Sequence, residues 1–280
     1  MRRVVDQIGL RIVQKLRPPA HTVSSQEIYF RSSAGYRIAA TLVAPTSLKA
    51  MPAVVLCPGS DQDRSVFFNG EAPIQAEEIA SMGIAVLSHD PSGRGASWGP
   101  EDWGGLEHQD NVLRAVQWLR SDAPFQSHKV GIVGISLGIA SAIGAAKQLA
   151  IDETPVSWVI DWEGPCDQRT ITANQTMNAP AMGHRRDDSI YWSPREAVRH
   201  VGGMRAGYWR LQAHTDHAQP GELQHAIDML TAASTGRLPW FRINDHYPGE
   251  IPEPIRWLRS GRLSANRALR RAISTAISRP

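Results

Sequence analysis

Cysteine is almost missing from this chain: Cys57 and Cys166 are the only two in 280 residues. Two thiols make neither a disulfide framework nor a cysteine-rich metal site. They fall at the ends of different, non-adjacent strand-like segments, and a bridge would need their α-carbons within about 7 Å. A reducing compartment suits such a chain, so a cytoplasmic location is expected. No histidine or cysteine cluster has ligand spacing, so no metal is expected, and nothing in the sequence calls for a cofactor. No run of about 18 apolar residues exists, which excludes an evident transmembrane helix. Internal repeats and low-complexity segments are absent as well.

The first segment, Met1 to Arg17, places Val5, Ile8, Ile12 and Leu16 at helical spacing among charged residues. That pattern describes an amphipathic helix over 1–20 and not the unbroken apolar core of a secretory signal. Its arginine-rich character would also suit an organellar transit peptide, although a docking helix is the plainer reading.

Charge is unevenly spread. Residues 1–20 carry net +4 and residues 251–280 carry net +6, seven arginines against one glutamate. The whole chain is +3, so residues 21–250 hold −7. An acidic body argues against a nucleic-acid partner, which would need clustered Lys and Arg for phosphate contacts. The basic ends, including a helix over 251–280, are read as solvated faces, with an anionic surface as the alternative. Oligomeric state stays open, a dimer through these helices being one option.

What the chain does contain is an alternation of strand and helix signals. Glu27–Arg31 and Arg37–Ala44 read as a hairpin across Ser32-Ser33-Ala34-Gly35. Next come strand Ala53–Cys57, a helix near Ile74–Ser81, strand Ile84–Ser88, helix Asp110–Arg120, strand Val130–Val133, helix Ile139–Leu149 and strand Val156–Asp161. After an irregular stretch follow helix Pro194–Val201, strand Tyr208–Ala213, helix Glu222–Ala233, strand Trp240–Ile243 and a closing helix. Continuous apolar strands between amphipathic helices predict a mostly parallel eight-stranded sheet covered on both faces, with the hairpin at one edge. Residues 21–250 then form one α/β domain. The polar stretch 163–193 is long for a loop in a compact domain and is read as a small lid.

Chemistry concentrates on Gly134-Ile135-Ser136-Leu137-Gly138. The five residues before it read as a buried strand, and an Ala- and Gly-rich helix follows. A serine on such a sharp strand-to-helix turn holds its hydroxyl above the sheet, and small neighbours are required because the turn is tight. A serine needs a base to take its proton and a carboxylate to orient that base. In open α/β sheets the reacting groups lie at the carboxyl ends of the strands. Downstream of Ser136, that rule selects Asp216 after one strand and His246 after the last. Asp161 and Asp167 stand as alternative acids. His214 and His217 precede the last strand, and His108 and His128 precede the serine, so each breaks the expected chain order. Backbone N–H groups of Leu137 and of Ser60, in the loop Pro58-Gly59-Ser60-Asp61, are the candidate oxyanion donors. Trp98, Trp162 and Trp192, with Trp103, fall in or beside loops at that end and are candidate pocket walls.

Together with Pro52 to Gly59, Asp90 to Ser97 and Tyr191-Trp192-Ser193-Pro194, the serine turn resembles the α/β-hydrolases, in particular dienelactone hydrolases and the catalytic domain of prolyl oligopeptidases. The likeness covers nearly all of 25–250. It implies acyl transfer through a Ser–His–Asp triad on esters, thioesters or peptides, without cofactor. Asp90 and Arg94 match a loop that is chiefly structural in that family. Two departures stand out. Relatives usually place His-Gly before the oxyanion donor, where this chain has Pro58-Gly59, and the glycine usual before the acid is replaced by His214-Thr215. The expectation is a serine esterase acting on a small-molecule carboxylic ester through an acyl-enzyme. A peptidase or amidase of prolyl oligopeptidase type is the alternative, with Glu163 and Asp167 available to bind a peptide amino terminus. A binding protein that has lost its chemistry is the third reading.

Overall fold

The computed structural model describes residues 21–173, 187–213, 216, 224–244 and 262–279. Its frame is an eight-stranded sheet in the order β1-β2-β4-β3-β5-β6-β7-β8. Strands β1 (Val23–Arg31) and β2 (Arg37–Pro45) form the antiparallel hairpin read from the sequence. Strand β2 joins β4 (Ala85–His89) antiparallel. From there β4, β3 (Ala53–Cys57), β5 (Val130–Ile135), β6 (Trp158–Trp162), β7 (Gly207–Leu211) and β8 (Phe241–Ile243) run parallel. The expectation of a mostly parallel eight-stranded sheet covered on both faces is therefore met.

Helices α1 (Ala76–Ala80), α2 (Leu106–Ser121) and α3 (Gly138–Ile151) follow β3, β4 and β5 in turn. Short α4 (Gln168–Ile171) and α5 (Ser189–Trp192) come after β6, then α6 (Gln224–Ser234) before β8 and α7 (Arg262–Ser278) at the end. Two apolar layers sandwich the sheet. One packs Val112, Val116 and Leu119 of α2, Ile143 and Leu149 of α3, and Met229 of α6 against Val55, Ile132 and Val159. The other packs Ile79 of α1 and Leu269 and Ile273 of α7 against Val54, Val133 and Ile160. In α2 the buried set Val112, Ala115, Val116 and Leu119 follows the 3.6-residue period that the sequence showed.

One expectation needs adjustment. The segment 194–201 is not one helix. It is three 3₁₀ turns, Ser193–Arg195, Ala197–Arg199 and Val201–Gly203, broken where Glu196 turns extended at ψ 95°. The basic closing helix is a core element over its described length, because Leu269, Ala272, Ile273 and Ala276 face the sheet while Arg267, Arg270 and Arg271 face solvent. Lys129 donates to the carbonyls of Ile277 (3.2 Å) and Arg279 (2.7 Å), fixing the helix end where a cation is favoured. The amphipathic segment 1–20 lies outside the described residues.

Candidate active site

The sheet register brings the carboxyl ends of five parallel strands to one rim. Cys57 pairs with Gly134, Ile135 with Trp162, Trp162 with Leu211, and Arg210 with Ile243. The residue after each of β5, β6 and β8 turns into left-handed backbone: Ser136 at φ 51°, Glu163 at 49° and Asn244 at 47°. For a serine this conformation is uncommon and held only by its surroundings. Here the Ser136 N–H donates to the carbonyl of Trp162 at 3.0 Å, and the Ser136 carbonyl accepts from Ile139 at 3.1 Å as α3 begins. The flanking glycines are steric requirements. A β-carbon on Gly134 would stand 2.8 Å from the Ile139 Cα, and one on Gly138 would collide with the carbonyl oxygens of Cys57 and Pro58. The serine itself is half-buried, on the turn that the sequence predicted.

Leu137 is the N-cap of α3, so its N–H belongs to the helix end whose donors lack intrahelical partners. Opposite it runs the loop after β3. A β-carbon on Gly59 would lie 3.2 Å from the Ser136 β-carbon, which puts Gly59 beside the serine. Gly59 N–H donates to Gln62 Oε1 at 3.0 Å. Arg94 then holds the loop from outside, its Nη1 donating to the carbonyls of Gly59 (2.7 Å) and Gln62 (3.1 Å). Its other N–H groups form a fork with Glu101 at 2.5 and 2.8 Å. Burial alone would raise Glu101, but the Arg94 hydrogen bonds and charge bring it below its ordinary value. Asp90 accepts from the backbone of Arg64 and Ala96 at 3.0 and 2.8 Å, organising the same loop cluster.

Behind the loop after β3 is a cavity of about 10 Å³, room for one water molecule, lined by Cys57, Gly59, His89, His108, Leu137 and Ser141. Burial pushes His89 down to about 3 and His108 below its usual range. His108 Nδ1 accepts from the Gly104 N–H at 3.1 Å, and its Nε2 lies 2.9 Å from the Ser92 carbonyl and 3.3 Å from the Asp102 N–H. His108 is thus a structural imidazole.

Asp216 is 2% exposed and engaged. Its Oδ2 accepts from Gln212 Nε2 at 2.7 Å and from His225 Nε2 at 3.1 Å. His246 lies outside the described residues, as do His214 and His217. The end of β8, two residues before His246, is well held. Asn244 N–H donates to the Arg210 carbonyl at 2.8 Å, its side-chain amide bonds both the N–H and the carbonyl of Gln212 at 3.0 Å, and its own carbonyl accepts from Trp209 Nε1 at 2.7 Å.

The alternative acids have other duties. Asp161, fully buried, accepts from Gly164 N–H (2.9 Å), Tyr208 (2.6 Å) and Arg210 (2.6 Å). Asp167 caps α4 through the Thr170 N–H at 3.1 Å and pairs with Arg169 at 2.8 Å. Cys166, Asp167 and Asp228 lie close enough to one another to hold a cation, but Arg169 bridges the two carboxylates at 2.8 and 3.0 Å and supplies the positive charge there. Both cysteines are buried and unbridged.

The tryptophans separate into three groups. Trp162, half-buried, supplies the carbonyl that holds Ser136. Trp192 and Trp103 are buried with Leu137, Ala140 and Ile171, so both described arms of the 163–193 insertion pack beside the serine turn. Trp98 is 56% exposed and lies against Arg37, whose guanidinium is 4.4 Å from its ring, over an edge hairpin separated from β5 by two strands. Gln212, Arg210 and His225 are polar neighbours of Asp216 that the motif reading passed over. A charged residue inside the apolar strand 207–211 was the available signal.

Residues 34–235, well over half of the chain, match a known family, the X-Pro dipeptidyl-peptidases (S15 family). The chain belongs to that family. Its fold is the α/β-hydrolase fold. The Pyrococcus furiosus esterase Pf2001 superposes with a TM-score of 0.68 at 12% identity, covering 93% of this chain and 97% of that one. An acetyl xylan esterase from Paenibacillus sp. R4 gives 0.58 at 15% identity over 85% of each chain. The Pyrococcus horikoshii acylaminoacyl peptidase also gives 0.58 at 15%, over 83% of this chain and 38% of its own. At such identities these likenesses show the fold. An uncharacterized protein of Mycobacterium tuberculosis is 29% identical over 133 residues, 47% of this chain. The chain spans about half the length of the curated relatives it matches: the match takes in 45% of the mycobacterial protein. Among the described residues no helix is long and apolar enough to cross a membrane.

Proposed function

We propose that this hydrolase is an esterase acting on small carboxylic esters through a Ser136 acyl-enzyme, with Asp216 and His246 as its acid and base. The observation that carries the proposal is Ser136 itself: a left-handed, half-buried serine between a central parallel strand and a long helix, with Gly59 so close that a β-carbon there would lie 3.2 Å from its own. In this reading His246 takes the hydroxyl proton as oxygen attacks the ester carbonyl. The N–H groups of Leu137 and Ser60 receive the developing oxyanion, each worth about 10²–10³ in rate. The imidazolium, oriented by Asp216, returns its proton to the leaving alcohol, and water then releases the acid by the same steps in reverse. Trp162 and Trp192 would wall the pocket and the 163–193 insertion would cover it. No metal or cofactor takes part in this scheme.

The family match favours a second reading, a peptidase. The carboxylates available to bind a peptide amino terminus speak for the ester instead. Glu163 is 4% exposed and accepts from the Ala213 N–H at 2.8 Å, while Asp167 serves α4 and Arg169. The test is a fluorophosphonate probe followed by a substrate comparison. The probe should label the wild type and leave Ser136→Ala unlabelled. p-Nitrophenyl esters should turn over faster than aminoacyl p-nitroanilides, and the opposite preference would replace the esterase reading with the peptidase one.

A further inference from the structure

Arg210 is an unusual residue for the middle of a parallel strand. All five residues of β7 are buried, and the Arg210 side chain has no exposure. Burying a guanidinium costs several kcal/mol unless its N–H groups are matched. Asp161 stands directly opposite on β6 and takes Nη1 at 2.6 Å. The carbonyl of Gly164 takes Nη2 at 3.0 Å. Two further N–H groups, on Nε at 3.0 Å and Nη2 at 2.7 Å, converge on one atom, Oε1 of Gln212.

Gln212 is two residues on, hence on the same face, and is also fully buried. A guanidinium can only donate, so it leaves the Gln212 amide one orientation: oxygen toward Arg210, NH₂ away from it. That NH₂ donates to Asp216 Oδ2 at 2.7 Å. The backbone of the same residue bonds the Asn244 side chain at 3.0 Å through both its N–H and its carbonyl, two positions before His246. Gln212 is thus bonded both to Asp216 and to Asn244, and Arg210 decides which way its amide points.

We infer that Gln212, oriented by the buried Arg210–Asp161 pair, is a positioning residue that holds the Asp216 carboxylate in register with Asn244 at the end of β8. This rests on the proposed roles of Asp216 and His246. Tyr208 belongs to the same device: its hydroxyl donates to Asp161 at 2.6 Å, and burial together with Asp161 keeps the phenol protonated well above its ordinary range. If the network only stabilised the sheet, an apolar residue of similar size at 212 would preserve catalysis in whatever fraction of the protein folds.

Gln212→Leu removes the bridge while filling the space. Its kcat on a p-nitrophenyl ester, and its rate of fluorophosphonate labelling, should fall about 10–100-fold with KM within about two-fold, the scale of a small misplacement of catalytic groups. Gln212→Asn keeps an amide that is one methylene too short to span Arg210 and Asp216. It should show the same split, and it stands in if the leucine variant does not fold. Asp161→Asn combined with Arg210→Met removes both charges together, avoiding a lone buried ion. It should lose kcat by about 10-fold in folded protein, because the Gln212 amide is then free to turn. Wild-type kcat and labelling rate in folded Gln212→Leu or Gln212→Asn protein would overturn the inference while leaving the esterase reading intact. A wild-type protein that is not labelled at Ser136 would remove the esterase reading, and this inference with it.

Discussion

Replacing Gly59 by alanine separates catalysis from stability. The glycine lies outside the left-handed region, so alanine adds no backbone strain there. The new methyl would meet the Ser136 β-carbon at 3.2 Å and Gln62 Oε1 at 2.8 Å. Carbon atoms in contact prefer about 3.5–4.0 Å, so loop and serine must part by roughly 0.3–0.8 Å. Gln62 can swing aside, but it then ceases to hold the Gly59 N–H. In stability terms the repulsion is partly offset by the gain of about 0.4–1 kcal/mol that alanine brings by restricting the unfolded chain. The melting temperature should therefore move by only a few degrees. In catalytic terms a displacement of this size pulls the Ser60 N–H from the oxyanion. Complete loss of one donor is worth about 10²–10³ in kcat, so a partial displacement should cost about 10–100-fold, with KM nearly unchanged. Steady-state kinetics on a p-nitrophenyl ester, beside a thermal melt of the same preparation, reads both quantities. A variant with kcat within two-fold of wild type would show that the loop after β3 is not the oxyanion loop.

Two further outcomes follow from the buried groups. His89, held down to about 3 by burial, stays neutral in the folded protein while the unfolded chain takes up a proton below about pH 6.5, so stability declines as pH falls through the window from 6.5 to 3. Two pH units below 6.5 this amounts to about 3 kcal/mol, with His108 acting in the same direction. Urea unfolding at pH 7 and pH 4.5 should show the decline, and His89→Gln should flatten it; equal slopes for the two proteins would contradict the assignment to His89. Leu269→Ala on the basic closing helix should cost about 2–5 kcal/mol, since Leu269 has no exposure and packs against the sheet. An unchanged unfolding midpoint would mean that this helix is dispensable to the core.

The fold could be read from the sequence because its signals are local and repeated. Continuous apolar runs such as Ala53–Cys57, too short for a helix, read as strands covered on both faces, and Val112 to Leu119 carries the helical period plainly. The serine turn was legible for the same reason, since glycine, serine and glycine at fixed offsets meet one steric demand. Readings that depended on distant partners fared differently. The segment 194–201 has helical composition, but its conformation answers to what surrounds it: the Pro194 carbonyl accepts from Gln109, and Arg195 pairs with Asp102 on another loop. Trp98 sits in a loop at the active end, yet its ring found Arg37 on the edge hairpin. Arg94 was read as structural, and which loop it holds, through the Gly59 carbonyl, showed only in three dimensions.

By itself the amino-acid order determined the alternation of elements, the parallel sheet, and the turn that presents Ser136, because backbone periodicity and glycine sterics act over a few residues. Tertiary structure alone decided the company each charged group keeps. The Asp161–Arg210–Gln212–Asp216 chain spans 55 positions from first to last, and its members meet because β6 and β7 pair in one register. A hydrogen bond acts over about 3 Å whatever the sequence separation, so such a network becomes visible only when the sheet is assembled.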